Sequence, residues 1–296
     1  MKFLNYALLC GLVLLAYLLS PAQSQRQELR ARRRMMCDGV CKAFTCGTPN
    51  RDGRVVGGVQ TSPGEYPWLV SLFHRRKLYC SATLVTDRHL ITAAHCLKRV
   101  TKASMDIVLG MYNKTNPNEA TRQVRKAEQW WAHKDFERRS FNNDIGIILL
   151  NESVTITKYV RPVCLPESLD RDYVGEMGIV AGWGRQSEDG KPSTILREVS
   201  VPIMSNAECK TTKYKPQEIT SNMMCAGYTE GKIDACQGDS GGPLVFDNGA
   251  SFDIIGVVSW GQGCARARYP GVYTRISKYW EFITSKINLG CSCPRP

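Results

Sequence analysis

Beyond its first two dozen residues, the 296-residue sequence has no apolar run long enough to cross a membrane, no repeat at solenoid periods and no low-complexity tract. Those absences argue against a membrane-spanning mature chain and a repeat array. A zinc site is not expected either, because Cys37, Cys41 and Cys46 lack a matching His or Cys pair at suitable spacing. No folded nucleic-acid-binding motif is present. The formal net charge of +12 therefore reads as a solvated basic surface rather than a nucleic-acid interface.

What is present begins with an export signal. Lys2 supplies a positive start, an apolar run follows from Ala7 to Leu19, and Ala22-Gln23-Ser24 offers small residues for a signal peptidase. A membrane span needs roughly 20 apolar residues, so residues 1–24 read as a signal peptide and the mature chain as secreted. The cysteines agree. Thirteen become twelve once Cys10 goes with the signal peptide, an even number suited to an oxidising compartment. The sequons starting at Asn113 and Asn151 fit the same compartment as glycosylation sites.

Residues 25–54 are charged and lack apolar periodicity, with eight basic and three acidic residues between 26 and 54. They read as an irregular pro-segment. Arg30 to Arg34 suits either a basic-pair convertase or an unprocessed basic tail. From Val55 the texture changes. Short β-rich runs (Trp68–Phe73, Ala82–Val85, Asp106–Leu109, Ile145–Leu150, Gly178–Ala181 and Ile254–Ser259) alternate with turn residues, which indicates an all-β barrel or sandwich. One helix is expected at the end, with Ser277 as N-cap, Trp280, Ile283 and Ile287 on one face, and Gly290 as the stop.

The chemistry concentrates in three segments. Residues 234–243 read Asp-Ala-Cys-Gln-Gly-Asp-Ser-Gly-Gly-Pro, with Ser240 at the seventh place. A serine hydroxyl is a weak nucleophile unless a base takes its proton, so base, orienter and oxyanion donors must be found elsewhere. His95 ends the apolar run Leu90 to Ala94, and Asp144 heads another after Asn142 and Asn143. His74, His89 and His133 read as ordinary surface or core histidines.

With these motifs in the order His, Asp, Ser, the chain resembles the chymotrypsin/trypsin family of serine proteases from Val55 to Leu289. The resemblance implies two six-stranded antiparallel β-barrels with a C-terminal helix. It divides the chain into a light chain (25–54), a peptidase domain (55–290) and a cysteine-containing tail (291–296). It implies Ser240 as nucleophile, His95 as general base, Asp144 as its orienter, and the backbone N–H groups of Gly238 and Ser240 as the oxyanion hole. Asp234 matches the floor of the primary pocket, which implies cleavage after Arg or Lys. Ala235 beside it lacks a hydroxyl acceptor and favours Arg. Gly261 and Gly271 match the pocket walls, Ser259-Trp260-Gly261 the segment that pairs with extended substrate, and Phe141 a residue that narrows the next subsite.

The resemblance also implies activation. Arg54-Val55 matches the cleavage junction, after which the Val55 ammonium would insert beside Asp239. It pairs Cys80 with Cys96, Cys209 with Cys225, Cys236 with Cys264, and Cys46 with Cys164. Cys37, Cys41, Cys291 and Cys293 remain to tie the pro-segment to the tail, with three connectivities open. No cofactor is expected. Met111 stands where a calcium ligand would be, and Pro270 where sodium-sensitive relatives carry Tyr, so neither cation is expected. Partners are protein substrates and protease inhibitors. Heparin or another acidic surface is a further candidate through the clusters Arg75-Arg76-Lys77 and Arg122, Arg125 and Lys126. A regulated extracellular endopeptidase is the leading expectation; a digestive trypsin or a silent homologue acting as a binding module stands beside it.

Overall fold

A computed structural model describes residues 41, 44–50, 59–185, 190–231, 238–264 and 266–296. Fourteen strands run through these residues: β1 (Val59–Gln60), β2 (Leu69–His74), β3 (Lys77–Leu84), β4 (His89–Thr92), β5 (Met105–Leu109), β6 (Gln123–Arg125), β7 (Ala127–Ala132), β8 (Gly146–Leu150), β9 (Met177–Gly182), β10 (Arg197–Met204), β11 (Met223–Ala226), β12 (Pro243–Asp247), β13 (Phe252–Trp260) and β14 (Gly271–Arg275). The six β-rich runs of the sequence all fall largely within strands. In β8 every residue of Gly-Ile-Ile-Leu-Leu is buried, as expected for a strand with no solvent face.

The strands form two antiparallel sheets. The later one has the order β1-β10-β11-β14-β13-β12-β9, and β9 pairs back onto β10, closing a six-stranded barrel with β1 on its edge. The earlier one has the order β6-β5-β2-β3-β4-β8-β7 and is curled rather than laddered shut. Its two edge strands, β6 and β7, are separated in the chain by Lys126 alone, so the edges meet through covalent chain. The expected pair of six-stranded barrels is thus one closed barrel and one half-barrel. Both share a core: Leu72, Leu84, Ile91 and Ile147 from the first sheet cluster with Ile179, Val245, Ile254 and Val257 from the second.

The C-terminal helix is shorter than its pattern suggested. A 3-10 turn (Ile276–Tyr279) leads into an α-helix over Trp280–Lys286, followed by a second 3-10 turn (Ile287–Leu289). Ser277 lies inside the first turn rather than capping it, and the residue before that turn is Arg275. Ile283 is the buried anchor.

Residues near the start are stitched to the body of the fold. Cys46 bridges Cys164, and Cys41 bridges Cys293 near the other end of the chain. Cys46 N–H donates to the Pro294 carbonyl and Gly47 N–H to that of Pro162. Gly47 has φ +64°, and a Cβ there would lie 2.4 Å from the Phe252 carbonyl oxygen, so the chain passes this point only as glycine. Arg295 adds ion pairs to Asp253 at 2.9 Å and Glu167 at 3.1 Å.

Candidate active site

Strand register brings His95 and Asp144 together. In the β4/β8 ladder Thr92 lies opposite Gly146, so the chain leaving β4 meets the chain entering β8. His95 sits just past that end of β4, in the short helix α1 (Ala94–Leu97), and Asp144 just before β8. Asp144 is fully buried and His95 nearly so.

A buried carboxylate must be paired with donors or it forfeits its hydration without return. Asp144 has three for its two oxygens. His95 Nδ1 lies 2.7 Å from Oδ2, the His95 backbone N–H donates to Oδ1 at 2.9 Å, and the Ser259 hydroxyl donates to Oδ2 at 2.6 Å. The Thr274 hydroxyl donates to the Asp144 backbone carbonyl at 2.7 Å. This arrangement places the proton of a neutral imidazole on Nδ1 and leaves Nε2 as the free base. Ser259 therefore contributes more than the backbone pairing expected for its segment: its side chain joins the second sheet to the carboxylate of the first. The sequence motif around Trp260 gave no sign of that contact.

The loop before Asp144 is held in an unusual backbone conformation. Phe141 and Asn143 have φ of 56° and 59°, in the left-handed region that costs a non-glycine residue about 1 kcal/mol. Asn143 is restrained from several directions. Its amide donates to the Asp135 carbonyl, and its Oδ1 accepts from the Tyr279 hydroxyl at 2.9 Å and from Asn222. Burial, and then the Asp144 charge, push the Tyr279 hydroxyl pKa well up, so it stays a donor. The Phe141 ring stands edge-on to the His95 imidazole, with centroids 5.6 Å apart.

Ser240 reaches the site from the second sheet, in the turn before β12. Ser81 N–H on β3 donates to the Ser240 carbonyl at 2.8 Å, and Gly241 N–H donates to the Val258 carbonyl at 2.8 Å. Gly241 has φ +82°, and a Cβ on it would come within 2.4 Å of the Thr92 hydroxyl oxygen at the end of β4. The turn is thus pressed onto the strands that carry His95. The Cys80–Cys96 bridge lies at this seam: Cys96 Sγ is 3.6 Å from His95 Nε2 and 3.7 Å from the Ser240 carbonyl oxygen. With both sulfurs in the bridge, the Cys80, His95 and Cys96 cluster offers no thiolate to a metal. Among the described residues the Ser240 hydroxyl has no hydrogen-bond partner.

Gly238 precedes this turn with φ +110°, a value glycine adopts readily. Asp239 is buried in a cradle of glycines. It accepts from Gly184 N–H at 2.8 Å, and a Cβ on Gly182 or Gly184 would lie 1.8 or 2.2 Å from its carboxylate.

Other expected positions fare variously. Trp260 ends β13 with its ring edge-on to Tyr214 at 5.0 Å. Gly261 is exposed, a Cβ there would approach only the Tyr214 hydroxyl at 3.8 Å, and Gly271 is buried at the start of β14. Cys209 bridges Cys225, and Cys264 and Cys291 are each disulfide-bonded. Asp234, Ala235, Cys236, Cys37, Arg54, Val55 and the Arg30 to Arg34 segment lie outside the described residues.

Met111 is buried in the first core. The loop around it is organised by Glu119, whose carboxylate accepts from the N–H groups of Tyr112 and Asn113 and pairs with Arg122 at 2.9 Å. Of the sequon asparagines, Asn151 is exposed and Asn113 half-buried. Among the described residues no helix is long and apolar enough to cross a membrane. Compared with models of known protein families, residues 55–283 match the one described as Trypsin.

Proposed function

The chain belongs to the trypsin family of serine proteases, and from that premise we propose that it is a secreted zymogen whose active form cleaves peptide bonds after arginine, and less readily lysine. The observation that carries the proposal is the buried His95–Asp144–Ser259 network beside the Ser240 turn. The Ser240 hydroxyl attacks the scissile carbonyl as His95 Nε2 takes its proton. The new C–O bond leaves an oxyanion, which the N–H groups of Gly238 and Ser240 receive. The imidazolium, stabilised by Asp144, returns the proton to the departing amine, and water then hydrolyses the acyl-enzyme by the same route.

Reactivity is conditional in this reading. Cleavage after Arg54 frees the Val55 ammonium to pair with Asp239, a reading supported by the burial of that carboxylate against glycines immediately before Ser240. Asp234 and Ala235 then set the preference for arginine, Gly261 and Gly271 leave space for it, and Trp260 and Phe141 line the approach. The Cys46–Cys164 and Cys41–Cys293 bridges would keep the segment before Arg54 attached after cleavage, which supports a regulated rather than a digestive role. Asn113 and Asn151 are the proposed glycan sites.

The test is to cleave the purified zymogen after Arg54 and compare amide substrates ending in Arg, Lys, Gln or Phe. Arg should lead Lys several-fold, with Gln and Phe at least 100-fold lower, because an unpaired pocket carboxylate is costly. Equal turnover of Arg and Phe substrates would exclude the assigned pocket.

A further inference from the structure

A cavity of about 490 Å³ opens beside Gly238, on the seam between the sheets. Four of the described residues lining it are cationic, Arg76, Lys77, Lys114 and Arg185, and among the described residues no carboxylate lines it. Leu78, Trp183 and Pro192 also line it, so the space is partly apolar. Among the described residues none of the four cations forms an ion pair; Arg185 donates only to the Gly190 carbonyl at 2.8 Å. The other basic cluster is different, since Arg122, Arg125 and Lys126 are paired with Glu119, Glu152 and Asp106.

The turn that carries Arg76 is a second, independent observation. His74 pairs with Lys77 across the β2–β3 hairpin, leaving Arg75 and Arg76 as a two-residue loop with φ of 48° and 63°. Such a loop favours Asn-Gly, because both positions need left-handed backbone. Two arginines there are poor turn chemistry held at a cost to stability, the kind of local conflict that marks functional positions.

Resting on the protease reading above, we infer that this cavity recognises acidic side chains on the carboxyl side of the scissile bond. Arg76, Lys77 and Lys114 would receive Asp or Glu two to three residues after the cleaved arginine. The cavity borders Gly238, an oxyanion donor in that reading, yet it is lined by none of Phe141, Ser259, Trp260, Gly261 or Gly271, the residues assigned to the chain before the bond. It is therefore open to the chain that leaves. A recessed, partly apolar pocket also suits peptide side chains better than a sulfated polysaccharide, which favours an open cationic strip.

The experiment uses the activated protein and two peptides that share one arginine and differ only in Glu-Glu or Gln-Gln at the second and third residues after it. The expected ratio of kcat/KM is about 5- to 20-fold in favour of Glu-Glu at low salt, falling toward one as salt screens the contact. Arg76→Gln with Lys114→Gln should bring the ratio near one. Replacing Arg75 and Arg76 by Asn and Gly should lower the ratio while raising Tm by a few degrees, about 2–4 °C per kcal/mol of relieved strain. A merely structural role would move those two readouts together. A ratio of one in protein that cleaves the Gln-Gln peptide overturns the inference while the protease reading stands. So does tight heparin binding that depends on Arg76 and Lys114 while the peptide ratio stays at one. Failure to cleave either peptide, with no covalent labelling of Ser240, overturns both readings.

Discussion

The two sheets hold their halves of the site in different ways. The half-barrel fixes His95 and Asp144 by strand register, by burial and by two His95 donors on one carboxylate, with Ser259 of the closed barrel as the third. The closed barrel delivers Ser240 by backbone contacts, and among the described residues the hydroxyl itself touches no partner. In the proposed mechanism the acid–base pair is thus built into the core, while the proposed nucleophile and its oxyanion donors depend on how one turn is set. The activation proposed above, acting on Asp239 immediately before Ser240, would then govern reactivity without disturbing the buried pair.

That contrast can be tested by breaking each half in turn. Ser240→Ala should have the largest effect, lowering kcat of the activated enzyme about 10⁶-fold. Its Tm should stay close to that of the parent, because the hydroxyl has no hydrogen-bond partner among the described residues. Asp144→Asn comes next, at about 10⁴-fold in kcat, because an amide in that place favours the wrong imidazole tautomer. This variant should also lose stability in thermal unfolding, since its carboxylate accepts from both His95 and Ser259.

Ser259→Ala removes one of the donors to a buried carboxylate, a loss of about 1–3 kcal/mol. Chemical denaturation should show that cost with an unchanged m-value, and kcat should fall far less than in Asp144→Asn. The smallest effect belongs to His133, whose ring packs against Tyr279 and Phe282 at centroid distances of 5.2 and 5.0 Å. Burial lowers its pKa, opposed in part by Asp135. With the folded value below the unfolded one, the unfolded chain binds more protons, so stability is full above about pH 6.5 and declines as pH falls through the folded value. His133→Gln should flatten that slope by a few tenths of a kcal/mol, read from unfolding curves across pH 5–8.

Much of this was legible in the sequence, for identifiable reasons. A strand such as β8, apolar at every position, declares its burial, and Asp144 stands at its head. The triad order and the glycines around Ser240 are local patterns that survive as text. Contacts across sheets are not. Nothing near Ser259 signals that its hydroxyl reaches Asp144, because 115 residues separate them in the chain. The closure of the half-barrel at Lys126 depends on which edges meet. Charge counting treated Arg75-Arg76-Lys77 and Arg122, Arg125 and Lys126 alike. The fold separates them, pairing the second set with acids and leaving the first at a strained hairpin turn, without ion pairs among the described residues.

Ser240 as a nucleophile held in reserve is the central claim, and covalent labelling tests it most directly. Zymogen and protein cleaved after Arg54 are each treated with a fluorophosphonate, and the modified peptide is identified by mass. The expected result is near-stoichiometric labelling on Ser240 in the cleaved protein and labelling slower by orders of magnitude in the zymogen. Folded, cleaved protein that leaves Ser240 unmodified would contradict the account.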